Sequence, residues 1–278
     1  MMRLSVWVEN TSTRGLPVEH GLSLYLQTET HGSLLFDLGQ GTLFAENAVR
    51  LGFEGCKVDR CFVSHGHYDH GGGLAAFLAL RPQTPVYVHR RAFEPHYSRR
   101  KDGWHEIGLD SSLRTHRQLI FTDDICLVEP GLLLFAGVKG ERLLPPGNRL
   151  LFGPVRGEPA TFPDEQSLWV EEGGVRLLVA GCAHRGILNI LDRAHELTGQ
   201  WPTHVVAGMH LVKTGLSAEA EAEFIAQLAE GLRTVPGCRY YTLHCTGEEA
   251  YIELQKHLGS RIAYLACGDE VSLTPAEP

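Results

Sequence analysis

Between positions 65 and 70 the chain places three imidazoles and a carboxylate, His65, His67, Asp69 and His70, and follows them with Gly71-Gly72-Gly73. Imidazole nitrogens and carboxylate oxygens at this density are ligands for zinc, manganese or ferrous iron. Two such ions side by side lower the pKa of water and polarise a phosphoryl or carbonyl oxygen, which is hydrolytic chemistry. Single histidines are mostly surface or packing residues, and His-rich runs also occur in tags. This run lies inside a patterned region, which excludes the tag reading. No Gly-x-Ser-x-Gly elbow occurs, so the expected nucleophile is a metal-bound hydroxide and not a side chain.

The elements around the run are those needed to aim it. Residues 59–64, with Cys61-Phe62-Val63 at their centre, read as a short buried strand ending at the histidines, and 74–80 read as a helix. On such a strand exit His65 and His67 can face one ion while Asp69 and His70 turn to a second. Strand-like and helix-like segments alternate elsewhere without a linker or low-complexity break. Residues 22–27 and 34–36 read as strands about the turn at His31-Gly32, 42–52 as a helix and 86–88 as a strand. Residues 119–121, 125–128 and 132–135 suggest a run of β-structure. Segments 167–171 and 175–179 flank Glu172-Gly173-Gly174, a hairpin signal. Ser217 is placed to cap a helix over 218–234, and Thr246 to cap one over 247–257 with Glu249 completing a capping box. His184 follows the apolar segment 176–180, and His244 follows 239–243. Both therefore sit at strand ends, as His65 does.

The pattern His-x-His-x-Asp-His at a strand end resembles the signature of the metallo-β-lactamase superfamily. Gly181-Cys182-Ala183-His184-Arg185-Gly186 and Thr242-Leu243-His244-Cys245-Thr246-Gly247 are similar to the later metal motifs of one branch. So are Glu19-His20-Gly21-Leu22-Ser23, Phe36-Asp37-Leu38-Gly39-Gln40 and Gly208-Met209-His210-Leu211. That branch is dihydropterin-aminobenzene-phosphate synthase-like, and its members are otherwise called metal-dependent hydrolases. The resemblance implies an α/β (α+β) fold, the four-layer αββα sandwich, as one domain over 1–278 with a substrate-lid insertion near 90–118. It also implies two divalent metal ions, zinc first, with manganese or iron as alternatives. One would be held by His65, His67 and His184, the other by Asp69, His70 and His244. The sequence departs from many superfamily hydrolases at one place. Where they carry Gly-Asp, with a carboxylate bridging both metals, this chain has Gly181-Cys182. Cys182 reads either as a thiolate ligand or as a small buried residue beside the site.

Asp69 can orient a water or accept its proton in addition to ligating. His210, after the strand residues Val205-Val206, can enter the pocket as an acid or a phosphate donor. His20 lies on a loop that could fold over the metals. For both histidines a structural hydrogen bond is the competing role. Segment 90–101 sets five cations, Arg90, Arg91, Arg99, Arg100 and Lys101, among aromatics. It could receive a small anionic substrate, phosphorylated and ring-bearing, although such charge runs also form solvated faces. Arg91, Arg185 and Lys213 are the candidate anion binders. The leading function is therefore a metal-dependent hydrolase of a phosphoester or phosphodiester. The alternatives are a transferase joining a dihydropterin diphosphate to an aminobenzene ribosyl phosphate, and an iron-dependent oxidoreductase on the same fold.

Composition sets the outer bounds. A formal net charge of -8 argues against a general nucleic-acid binder, because phosphate backbones reward a basic face. No apolar run approaches the roughly 20 residues of a membrane span. Residues 1–10 lack the apolar core of a signal peptide. Seven cysteines, an odd number without framework spacing, point to a reducing cytoplasm. The sequence is compatible with a homo-oligomer.

Overall fold

The computed structural model describes residues 2–275. Strands β1 (Met2–Val8), β2 (Ser23–Gln27), β3 (Ser33–Phe36), β4 (Arg60–Val63), β5 (Val86–His89), β8 (Leu119–Thr122) and β17 (Glu270–Leu273) form one sheet in the order β17-β1-β2-β3-β4-β5-β8. A second sheet has the order β16-β15-β14-β13-β12-β10-β9. Its strands are β9 (Ile125–Glu129), β10 (Leu132–Phe135), β12 (Ser167–Glu172), β13 (Val175–Ala180), β14 (His204–Ala207), β15 (Arg239–Thr242) and β16 (Ile262–Tyr264). A third, small sheet joins β11 (Leu151–Phe152), β6 (Tyr97–Arg100) and β7 (Gly103–Glu106). The helices are α1 (Leu43–Arg50), α2 (Tyr68–Gly71), α3 (Leu74–Leu80), α4 (Ile187–Thr198), α5 (Ala218–Arg233) and α6 (Glu248–Leu258).

Three buried clusters define four layers. Between the large sheets, Leu24, Leu26, Leu34 and Phe36 pack against Leu132, Leu134, Leu168, Val170 and Leu177. On the far side of the first sheet, Trp7, Tyr25, Leu35 and Val63 meet Phe44, Ala48, Leu74 and Phe77 of α1 and α3. On the far side of the second, Trp169, Leu178, Val205 and Tyr240 meet α4, α5 and α6 through Leu188, Leu228 and Leu254. Leu24-Tyr25-Leu26 shows the cause. Alternate residues leave a strand on opposite faces, and both faces are buried, so the run is apolar without a break. In α5 the buried residues Ile225, Leu228, Ala229 and Leu232 recur at helical spacing on one side, which is the stripe that docks. This is the αββα sandwich.

The expected run of β-structure after residue 118 is divided between the layers. Strand β8 edges the first sheet and β9 edges the second, with only Asp123-Asp124 between them. The hairpin at Gly173-Gly174 is a two-residue turn, with Glu172 opposite Val175 and both glycines at positive φ, as a type I′ turn requires. Ser217 caps α5 by accepting from the Ala220 amide at 3.3 Å. Thr246 does not cap α6. Its hydroxyl accepts from the Met209 amide at 2.9 Å and pairs with Thr242, and Gly247 enters the helix at φ 76°. No helix among the described residues is long and apolar enough to cross a membrane.

Candidate metal centre

Strands β3, β4, β5 and β8 run parallel, as do β13, β14, β15 and β16. Their C-terminal ends therefore share one edge of each sheet, and the chemistry-bearing residues leave from those ends. Asp37 follows β3, His65 and His67 follow β4, and Cys182 and His184 follow β13. His210 follows β14, and His244 and Cys245 follow β15. Close approach of the two sheets here depends on Gly181, where a Cβ would lie 2.4 Å from the Ser64 hydroxyl oxygen. Asp37, Ala183, His210, Lys213 and His244 all hold positive φ without being glycine. Strained loops of this kind cluster at functional sites.

Four side-chain triads at this edge could hold metal ions: His65, Cys182 and His184; His70, Cys182 and His244; Cys182, His210 and Cys245; and His20, Asp69 and His244. His67 joins through its Nδ1, 2.9 Å from His65 Nε2. The carboxylate of Asp69 faces His20 Nε2 at 3.2 Å, His244 Nε2 at 3.6 Å and His70 Nε2 at 3.9 Å. Four imidazoles are each anchored at Nδ1. His65 meets the Ser64 hydroxyl at 2.8 Å, His70 meets Asp37 at 2.7 Å, His184 meets Asn148 at 3.0 Å and His244 meets Asn10 at 2.9 Å. The opposite nitrogens turn into the shared space, where buried Nε2 of His184 and of His244 lack any hydrogen-bond partner. Buried polar nitrogens normally find partners. Rings fixed at one nitrogen with the other facing inward are how proteins orient metal ligands. The donor set thus fits divalent ions.

Electrostatics supports the same use. Burial pulls His65, His67 and His184 well below the usual imidazole range and His70 down to about 3, leaving neutral rings with free lone pairs. Burial opposes ionisation of Asp69, yet His70, His20 and His244 around it hold the carboxyl well below its usual range. His244 is raised to about 9 against the pull of burial, by its contact with Asp69 and by Cys245. Burial pushes the Cys182 thiol well up, and its Sγ lies 3.1 Å from His70 Nε2.

Four buried carboxylates fix the loops that carry these side chains. Asp37 accepts from the Ser64 amide at 2.7 Å, Asp164 from the Gly66 amide at 2.7 Å, Glu165 from the His184 amide at 2.6 Å and Glu9 from the His244 amide at 2.6 Å. None of these roles is apparent from the sequence, and only Asp37 falls in a motif singled out there. A carboxylate directly after an apolar strand, as Glu9 and Asp37 are, is the available signal.

A cavity of about 330 Å³ opens over the triads. His20, His67, Asp69, Cys182, His184, His210 and His244 line its floor, and Arg99, Arg100 and Lys213 supply its cations. Of the expected anion binders only Lys213 reaches it. Arg91 donates through Nε and Nη2 to the two carboxylate oxygens of Glu94, at 2.9 Å each, on an exposed turn. Arg185 is bound to the carbonyls of Val138 and Gly140. Arg99 and Arg100 take the place of Arg91, because β6 carries them to the cavity wall.

Fold and donor set together define a metallo-β-lactamase-type protein. Residues 16–206 match the metallo-beta-lactamase superfamily, and the chain belongs to that superfamily, whose members bind metal ions. It is 24% identical over 251 residues, 84% of this chain and 82% of the relative, to 7,8-dihydropterin-6-methyl-4-(beta-D-ribofuranosyl)-aminobenzene-5'-phosphate synthase of Methanocaldococcus jannaschii. Its structure matches a crystallised metal-dependent hydrolase of the beta-lactamase superfamily with a TM-score of 0.80 and 28% identity, covering 99% of this chain and 100% of that one. A diphosphatase of the PhnP family shares the fold at a TM-score of 0.54 and 13% identity, with 99% of each chain covered.

Proposed function

We propose that this protein is a metal-dependent hydrolase of a phosphoester, acting on a small anionic substrate that carries a ring. The observation that supports it best is the composition of the cavity. Histidines and Asp69 form the floor, Arg99, Arg100 and Lys213 lie at the walls, and Tyr68, Ile107, Leu150, Leu151 and Val212 provide apolar surface beside them. Guanidinium and ammonium groups suit phosphate oxygens, and the apolar wall suits a ring.

His65, His67 and His184 would hold one ion and Asp69, His70 and His244 the other, with Cys182 between them. Bound there, the ions supply the charge that lowers the pKa of water and polarises a phosphoryl oxygen. Asp69 is placed to accept a proton at Oδ2, which already faces three imidazole nitrogens. His210, with its ring centroid 4.3 Å from that of His184, is placed to deliver a proton to a leaving oxygen. His20 stacks on His244 at 4.9 Å and covers Asp69 from the solvent side. The small sheet of β6, β7 and β11 brings Ser98, Arg99, Arg100 and Leu151 to the cavity, which fits a substrate-contacting insertion within one metallo-β-lactamase-like domain. All seven cysteines are free thiols, in keeping with a cytoplasmic setting.

The synthase relative supports a second reading, transfer between a dihydropterin diphosphate and an aminobenzene ribosyl phosphate. One experiment separates the two. Zinc- or manganese-loaded protein is given an aryl phosphodiester, and separately both transfer partners. Hydrolysis of the diester, lost in His67→Ala and Asp69→Ala chains that still fold, supports the hydrolase. Product formed only when both partners are present, with neither hydrolysed alone, replaces it with the transferase.

A further inference from the structure

Cys245 is buried and has no part in the two-ion arrangement. Its Sγ, the Sγ of Cys182 and a ring nitrogen of His210 lie within 4.8 Å of one another. Cys182 belongs to two further triads, whereas Cys245 and His210 occur in this one alone. Two sulfurs and an imidazole make a softer donor set than the histidines and Asp69 beside them. Such a set favours thiophilic ions such as zinc over oxygen-seeking ones such as manganese.

Three neighbouring strands build the triad. β13, β14 and β15 run parallel and side by side, and past their C-terminal ends they carry Cys182, His210 and Cys245 in turn. Adjacent strands lie about 4.8 Å apart, so side chains from the outer two meet only if the middle exit leaves room. Gly208 leaves it. A Cβ there would lie 2.5 Å from Cys245 Sγ and 2.7 Å from the Gly181 carbonyl oxygen. Two residues on, His210 holds φ 47°, and its amide donates to Cys245 Sγ at 3.3 Å. The Cys245 thiol in turn faces the Cys182 carbonyl at 3.7 Å. His210 Nδ1 is buried without a hydrogen-bond partner, a nitrogen that the protein itself leaves unused.

A tetrahedral zinc, with bonds of about 2.3 Å to sulfur and about 2.0–2.1 Å to nitrogen, sets its donors about 3.5–3.8 Å apart. Shifts of about 1 Å or less therefore close this triad on one ion. All three residues line the cavity over the metal centre, which gives the ion an entrance and leaves its fourth position open.

We propose that Cys182, His210 and Cys245 form a third, inhibitory site for a thiophilic divalent ion such as zinc or cadmium. Binding exchanges two S–H bonds for two sulfur–metal bonds, and both protons leave to solvent. The inhibition rests on the hydrolase reading above, since an ion on His210 occupies the ring that would deliver a proton to the leaving oxygen. The binding does not depend on it.

The test titrates cadmium into the full chain loaded with two equivalents of zinc. Ultraviolet sulfur-to-cadmium absorption and aryl phosphodiester turnover are followed together. The wild-type chain should gain that absorption up to one further equivalent and lose turnover in step. Cys245→Ser should keep its turnover, resist the inhibition and lose at least half of the absorption. His210→Asn, read by absorption alone, should need more cadmium to saturate. A wild-type chain that takes up no further ion overturns the proposal, and so does equal absorption in the wild-type and Cys245→Ser chains. If no chain turns over the diester, the hydrolase reading fails by itself, and the absorption still decides whether the third site exists.

Discussion

Asp37 is the residue whose replacement tests most directly how the metal centre is built. Its carboxylate is fully buried and accepts from the Ser64 amide at 2.7 Å, the Ser64 hydroxyl at 2.8 Å and His70 Nδ1 at 2.7 Å. In Asp37→Asn one oxygen becomes an NH2 group. Facing Ser64 it meets a second donor. Facing His70 it moves the ring proton to Nε2, the nitrogen that must carry a free lone pair toward the metal. Losing one such buried, charge-assisted bond costs about 1.5–3 kcal/mol. At about 1.4 kcal/mol per factor of ten this is roughly 10- to 150-fold in metal affinity, in line with the roughly 10–100-fold typical of groups that orient a ligand. Burial pushes the Asp37 carboxyl well up, so in the metal-free chain burial works against its charge, which an amide does not carry. With a cation at His70 the ionised form is favoured and the amide imitates it poorly. Asp37→Asn is therefore expected to weaken zinc binding, measured by competition with a chromophoric chelator, while changing the melting temperature of the metal-free chain little. Wild-type zinc affinity in Asp37→Asn would refute this reasoning, and so would a large loss of stability confined to the metal-free form.

Three further outcomes follow from the same geometry. Zinc added to chelator-treated protein should raise its melting temperature, because ligand that binds only the folded chain stabilises it by about 4 kcal/mol at a thousandfold excess over Kd; an unchanged melting curve would mean that the converging imidazoles hold no ion. Gly181→Ala should cost about 1–3 kcal/mol in denaturant unfolding together with zinc binding, since the new methyl is 2.4 Å from the Ser64 hydroxyl that anchors His65 and Asp37; retention of both would show that this loop yields freely. His204 lies at the opposite end of its strand from the centre, and burial, with Arg239 adding, pulls its imidazole from 6.5 down to about 4. Its folded-state pKa is depressed, so the neutral ring's contribution is complete above pH 6.5 and is lost as pH falls from there toward 4. The stability difference between wild type and His204→Gln should shrink across that window and stay level above it.

The ligand run at 65–70 and the strand exits carrying His184 and His244 were legible because their signals are local. Donor spacing, an apolar strand just before and glycines just after are all contained within a dozen residues. The expected cap at Thr246 rested on equally local evidence, Thr-Gly-Glu-Glu before a helix, and failed because the hydroxyl is bound to the Met209 amide on another strand exit. The anchoring acids show the same limit from the other side. Glu9 reaches a residue 235 positions away, and Asp164 one 98 positions away, so nothing beside them in the chain separates them from surface carboxylates. Arg91 and Arg99 belong to one basic segment, yet one is tied to Glu94 on an exposed turn and the other lines the cavity. What distinguishes them is that β6 pairs with β7 and β11, a long-range contact. The donor-rich run could therefore be read from this sequence because its three imidazoles and its carboxylate are contiguous in it. Substrate preference could not, because the side chains that would set it are assembled from β6, β11 and the loops after β13, β14 and β15, and meet only when both sheets have formed.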